Sequence, residues 1–97
     1  MLVKLQFDEN SYDVIDVPKA LMDWYAEHDY EFYKKLMAWL KNQGVKNYKN
    51  GRYSYGRDEV IEWLNTDLLQ NFSKKIEAIA LHKLDDPADI DLPVMDF

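Results

Sequence analysis

Not one cysteine occurs in this 97-residue chain, and that absence narrows its folding options more than any motif it carries. A domain this short buries roughly 60 to 68% of the surface its unfolded chain exposes, and small domains often add disulfides or a thiolate metal site. Neither is open here, and neither is a cysteine nucleophile. Stability must come from packing, for which the sequence is well supplied: 47% of its residues are hydrophobic, with seven Tyr, four Phe and three Trp. That is far above the composition that leaves a chain disordered. The expectation is a single domain over residues 1–84 with one core, followed by an acidic extended tail over 85–97 that is either docked or mobile.

A reducing cytoplasm is the expected location. Residues 1–6 carry no basic region leading into a 7 to 15 residue apolar stretch, and no window approaches the roughly 20 apolar residues of a membrane span.

The patterning predicts an α+β fold, mainly helical: an N-terminal β-hairpin, then three to four helices, then an extended acidic tail with the option of adding a strand. Val3, Leu5 and Phe7 alternate with Leu2, Lys4 and Gln6, the period of a strand with one buried face. Residues 11–17 supply a second run rich in Tyr and β-branched side chains, and 8–10 supply the turn. Pro18 suits a first helical turn. Beyond it Leu21, Tyr25, Phe32, Leu36 and Leu40 share a face opposite Lys19, Asp23, Glu27, Glu31 and Lys35. A break is expected at His28, Asp29 and Tyr30, where the apolar face weakens and Asp29 can cap a new helix, and the helix should end before Gly44. Residues 44–56 form a loop or a small second hairpin around Asn50-Gly51. Val60, Ile61, Leu64, Leu68, Phe72, Ile76, Ile79 and Ala80 then recur at helical spacing, which predicts helix over 57–83, divided in two near Asn65-Thr66-Asp67.

The formal charge of −6 conceals a segregation. Residues 41–57 hold five basic groups and no acidic one, leaving 7 basic and 18 acidic groups for the other 80 residues. Within that segment Lys41, Lys46, Tyr48, Lys49, Arg52, Tyr53, Tyr55 and Arg57 interleave cations with rings. Such a mixture suits polyanion binding, since cations meet phosphates while rings stack on bases. The competing reading is a solvated loop whose tyrosines cover helix ends, or a basic patch already neutralised by the acidic tail.

Other constellations are weaker. His28 has Glu27, Asp29 and Glu31 nearby, but no second histidine at i+4, so a partly exposed helical histidine is the expectation and no metal ligand is assigned. No serine or threonine lies in a nucleophile elbow, and the three glycines, Gly44, Gly51 and Gly56, lack phosphate-loop spacing. No catalytic or cofactor-binding residue is assigned, and an enzyme is not expected. Trp24, Trp39 and Trp63 are core anchors or contact residues. Trp24, at the flank of the apolar face, is the candidate protein-interface residue. The leading expectation is a small accessory or interaction protein that binds another macromolecule, with a protein partner or self-association and no membrane. The alternative is a nucleic-acid-binding protein using segment 41–57.

Overall fold

A computed structural model describes residues 1–43, 48–49, 52–53, 55–69, 75–84 and 86–97. It shows a small α+β protein whose chain divides into two compact units, Met1–Asp23 with Ile76–Phe97, and Trp24–Lys75.

The first unit is built on β1 (Leu2–Gln6) and β2 (Tyr12–Asp16), the expected antiparallel hairpin, in the register Val3↔Ile15 and Leu5↔Asp13. Its turn has no Asn-Gly pair. Instead the Asp8 carboxylate accepts the backbone N–H groups of Asn10 and Ser11, each at 2.8 Å, and is held below its ordinary pKa chiefly by those two bonds. Four consecutive β2 residues, Tyr12 to Ile15, are buried, so both faces of this strand are covered and it has neighbours on both sides.

One neighbour corrects the sequence reading. Residues 78–83, expected to be the end of a helix, form strand β5 (Ala78–Lys83), antiparallel to β2. A short apolar run such as Ala78-Ile79-Ala80-Leu81 fits either structure by periodicity alone, and the open edge of β2 decides it. The pairing is irregular: Ile15↔Ala78, Val14↔Ala80, Tyr12↔Lys83. One β2 step is matched by two on β5, then two by three, so β5 carries two bulges. At the second, His82 adopts φ 50° and donates its backbone N–H to the buried Asp13 carboxylate at 3.0 Å. The tail adds the fourth strand, β6 (Val94–Asp96), parallel to β1, giving the order β5-β2-β1-β6. The N–H of Lys4 donates to Pro93 O and that of Phe97 to Gln6 O, both at 2.9 Å, and the Phe7 and Phe97 rings stack at 5.0 Å. Val3, Leu5, Ile15 and Met95 are fully buried.

The second unit is helical. Helix α1 (Lys19–Glu27) begins on the Pro18 carbonyl and runs into this unit. It stops at His28, whose φ of −136° and ψ of 47° leave the helical region, and α2 (Asp29–Asn42) starts immediately with Asp29 and Glu31 in its first turn. The break therefore falls where the sequence placed it. In α3 (Arg57–Trp63), the Glu59 carboxylate reaches back to the Gly56 N–H at 3.1 Å and tethers the first turn. The expected division at Asn65 is absent: a π-helical turn (Leu64–Leu68) continues α3 directly, closed by Leu69 N–H to Leu64 O at 2.7 Å. The turn brings Asp67 to the Trp63 indole N–H at 3.2 Å, so the fully buried ring keeps a partner. Phe32 lies edge-on to Trp63 at 4.9 Å and to Tyr25 at 4.8 Å, and Leu36, Leu40, Val60 and Leu64 are buried with it. Strands β3 (Tyr48–Lys49) and β4 (Arg52–Tyr53) form the small hairpin that the Asn50-Gly51 signal allowed; positions 50 and 51 themselves lie outside the described residues.

Candidate interaction surfaces

Segment 41–57 is only partly described. Lys41 is exposed in the last turn of α2, and Lys46 lies outside the described residues. In the β3–β4 register Tyr48 stands opposite Tyr53 and Lys49 opposite Arg52, so the two ring positions face each other and the two cation positions face each other. The Tyr48–Tyr53 pairing and the two-residue Asn50-Gly51 connection favour this register, and the like charges it sets opposite each other at Lys49 and Arg52 oppose it. Tyr55 is half-buried, which pushes its hydroxyl pKa up. Arg57 is mostly covered and donates Nε to the Asp58 carboxylate at 3.1 Å. Lys41, Lys49 and Arg52 thus belong to one helical unit, with Tyr55 and Arg57 set back from the surface.

The lysines of α2 extend this charge. Lys34, Lys35 and Lys41 are all exposed, and none has a hydrogen-bond, ion-pair or ring partner among the described residues. Every other basic side chain that the structure describes is engaged. Lys4 lies over the Tyr12 ring at 4.9 Å, Lys19 pairs with Asp23 at 2.8 Å, Arg57 pairs with Asp58, Lys75 donates to Asn65 O at 3.3 Å, and Lys83 bridges Asp86 and Asp89. Tyr30, at the start of the same face, is 76% exposed, and a groove of about 430 Å³ runs over Tyr30, Glu31, Lys34, Lys35 and Ala38.

Trp24 is half-buried. Its ring stacks on His28 at 6.1 Å and tilts against Phe32 at 6.0 Å. His28 is exposed beside it, and among the described residues no group of three or more His, Cys, Asp or Glu is placed to hold a metal ion.

The sheet unit presents apolar side chains instead. Ile79 and Leu81 on the edge strand β5 are 60% and 49% exposed, and Leu84 and Ile90 beyond it are more exposed still. The helical reading of 78–83 concealed these residues, because it placed Ile79 on the same buried face as Ile76. Next to them Lys83 donates to Asp89 and to Asp86, the latter at 2.9 Å, while the Tyr12 hydroxyl donates to Asp89 at 2.7 Å and accepts the Asp86 N–H at 3.3 Å. Lys83 is raised above its ordinary pKa by Asp89 first and Asp86 second. Both carboxylates are lowered, chiefly by Lys83. The network pins the short 3-10 turn (Pro87–Asp89) to the sheet and occupies two tail carboxylates that the sequence left available to the basic segment.

Among the described residues no helix is long and apolar enough to cross a membrane. No family model, curated protein or solved structure matches the chain.

Proposed function

We propose that this chain is a small cytoplasmic accessory protein that works by binding a protein partner through the outer surface of β5. The observation that carries this reading is the exposure of Ile79 and Leu81, two residues apart on an edge strand, with Leu84 and Ile90 also exposed in the same unit. Exposed apolar residues grouped on one element mark interaction sites more often than scattered single residues do. The two bulges favour coverage of the side chains over sheet extension, because a bulged edge presents its N–H and C=O groups out of step with an incoming strand.

The test is affinity purification from the native host with the wild-type chain and with an Ile79→Lys/Leu81→Lys variant. Both positions are substantially exposed, so the variant should fold. A partner recovered reproducibly with the wild type and lost with the variant is the expected result. Identical recovery with both would remove this surface.

A second reading, nucleic-acid binding by segment 41–57, is favoured by the register that sets Lys49 opposite Arg52. A bound phosphate would relieve that repulsion. Joint substitution of Lys46, Lys49 and Arg52 by Gln should abolish oligonucleotide binding, and an unchanged affinity would exclude the segment.

A further inference from the structure

We propose that the exposed face of α2, formed by Tyr30, Lys34, Lys35 and Lys41, is a binding surface for single-stranded nucleic acid. The proposal rests on the nucleic-acid reading above and moves its centre from the hairpin to the helix.

Three observations carry it. The first is selectivity of pairing: the lysines without partners are all on α2, while the other described cations are engaged. The helix dipole accounts for Lys41, in the last turn, but gives no reason for the adjacent Lys34 and Lys35 in the middle of the helix.

The second is geometry. Lys34 and Lys41 are seven residues apart, which returns them to nearly the same side of the helix about 10.5 Å apart along its axis. Tyr30 lies one turn before Lys34 on that stripe, and Ala38 between the two lysines keeps the groove floor low. A strand laid along the helix would meet a ring at one end and cations along its length, the combination that sequence-tolerant single-strand binding uses.

The third is the ring itself. Tyr30 is far more exposed than the other tyrosines whose side chains are described, and its aromatic face is open to stack on a base. An acidic protein segment would use the lysines but would gain little from the ring. Glu31, in the same groove, is within one turn of both Lys34 and Lys35 and opposes an anion there.

Fluorescence anisotropy of labelled single-stranded DNA and RNA of about twelve nucleotides, across a salt series, tests the proposal on the full chain. The wild type should bind with an affinity that falls as salt rises. Lys34→Gln/Lys35→Gln/Lys41→Gln should lower the log–log salt slope by about 2, at roughly 0.7 per lost single-strand phosphate contact. Tyr30→Ala should weaken binding roughly 5- to 150-fold while Tyr30→Phe preserves it, as stacking requires. Glu31→Gln should tighten it. All five positions are exposed, and circular dichroism checks that each variant keeps the fold. If the wild type binds and only the Lys46, Lys49 and Arg52 substitutions reduce affinity, the α2 site is overturned while the hairpin reading stands. If the wild type does not bind at low salt, both fall. Equal affinity for poly-glutamate, with no effect of Tyr30→Ala, would overturn nucleic acid as the ligand.

Discussion

Asp13 is a carboxylate buried to 6% exposure on a strand, opposite Leu5 in β1, and its removal gives a sharp test of how β5 is held. The second bulge turns the His82 N–H out of the β2 ladder, and the Asp13 carboxylate accepts it at 3.0 Å. Asp13→Ala deletes the acceptor and leaves a partly buried N–H without that bond. Hydrogen bonds to a charged group are worth roughly 1.5 to 3 kcal/mol, and an orphaned buried donor costs about 1 to 3 kcal/mol. The expected loss is therefore about 2 to 3 kcal/mol. For a chain of this size each kcal/mol moves Tm by roughly 4 to 8 °C, so the shift should be at least about 8 °C. Asp13→Asn keeps a carbonyl oxygen able to accept the bond and should cost about half as much. Urea denaturation followed by circular dichroism gives the free energies, and amide exchange at His82 reports the bond itself. An Asp13→Ala variant within about 0.5 kcal/mol of wild type, or Asn as costly as Ala, would show that the bulge does not depend on this acceptor.

Two further perturbations probe the two units separately. Phe32→Ala removes the ring at the centre of the Tyr25, Phe32 and Trp63 cluster and should destabilise by about 3 to 5 kcal/mol in urea melts; a loss under 1 kcal/mol would mean that the cluster collapses without penalty. Asp86 and Asp89 have folded pKa values below the ordinary carboxylate value, so the unfolded chain takes up their protons first as pH falls. Their contribution is present above about pH 4 and is lost as pH drops through the folded values. Thermal melts from about pH 6 to pH 2 should fall less steeply for Lys83→Met than for wild type, since without Lys83 both carboxylates return toward their ordinary pKa; parallel curves would show that the network does not couple to folding.

The elements legible in the sequence are those whose signals are local. The β1–β2 hairpin follows from period-two alternation, the break at His28 from a gap in the apolar face, and the start of α3 near Arg57 from the helical spacing that begins at Val60 and Ile61. What escaped depends on partners distant in sequence. Ala78 to Lys83 is a strand because β2 has an open edge some 65 residues earlier in the chain. The sequence allowed the tail a strand, but which residues form it, the three of β6 after Pro93, is set only by pairing with β1. The π turn after Trp63 answers the need of a buried indole N–H for Asp67, and neither residue type announces it. The surfaces follow the same division. Lys41 and Arg57 were visible as members of a basic segment, but the exposure of Ile79 and Leu81 depends on strand geometry. That Lys34 and Lys35 are unpaired depends on where every carboxylate lies.

The division into units also recasts the charge segregation. Met1–Asp23 with Ile76–Phe97 holds 3 basic and 11 acidic residues, whereas Trp24–Lys75 holds 9 basic and 7 acidic. The formal charge of −6 is therefore −8 on the sheet unit and +2 on the helical unit. A polyanion is repelled by the first and attracted only by the second, where three of the nine cations are the unpaired lysines of α2. The apolar side chains Ile79, Leu81, Leu84 and Ile90 belong to the acidic unit, so a partner that covers them also meets its carboxylates. Electrostatic complementarity then requires that partner to carry cations around an apolar contact. The two proposed surfaces thus select ligands of opposite charge, and raising the salt concentration should weaken both. The sheet-unit contact, whose apolar component rests on several side chains rather than one stacked ring, should retain the larger share of its affinity at high salt.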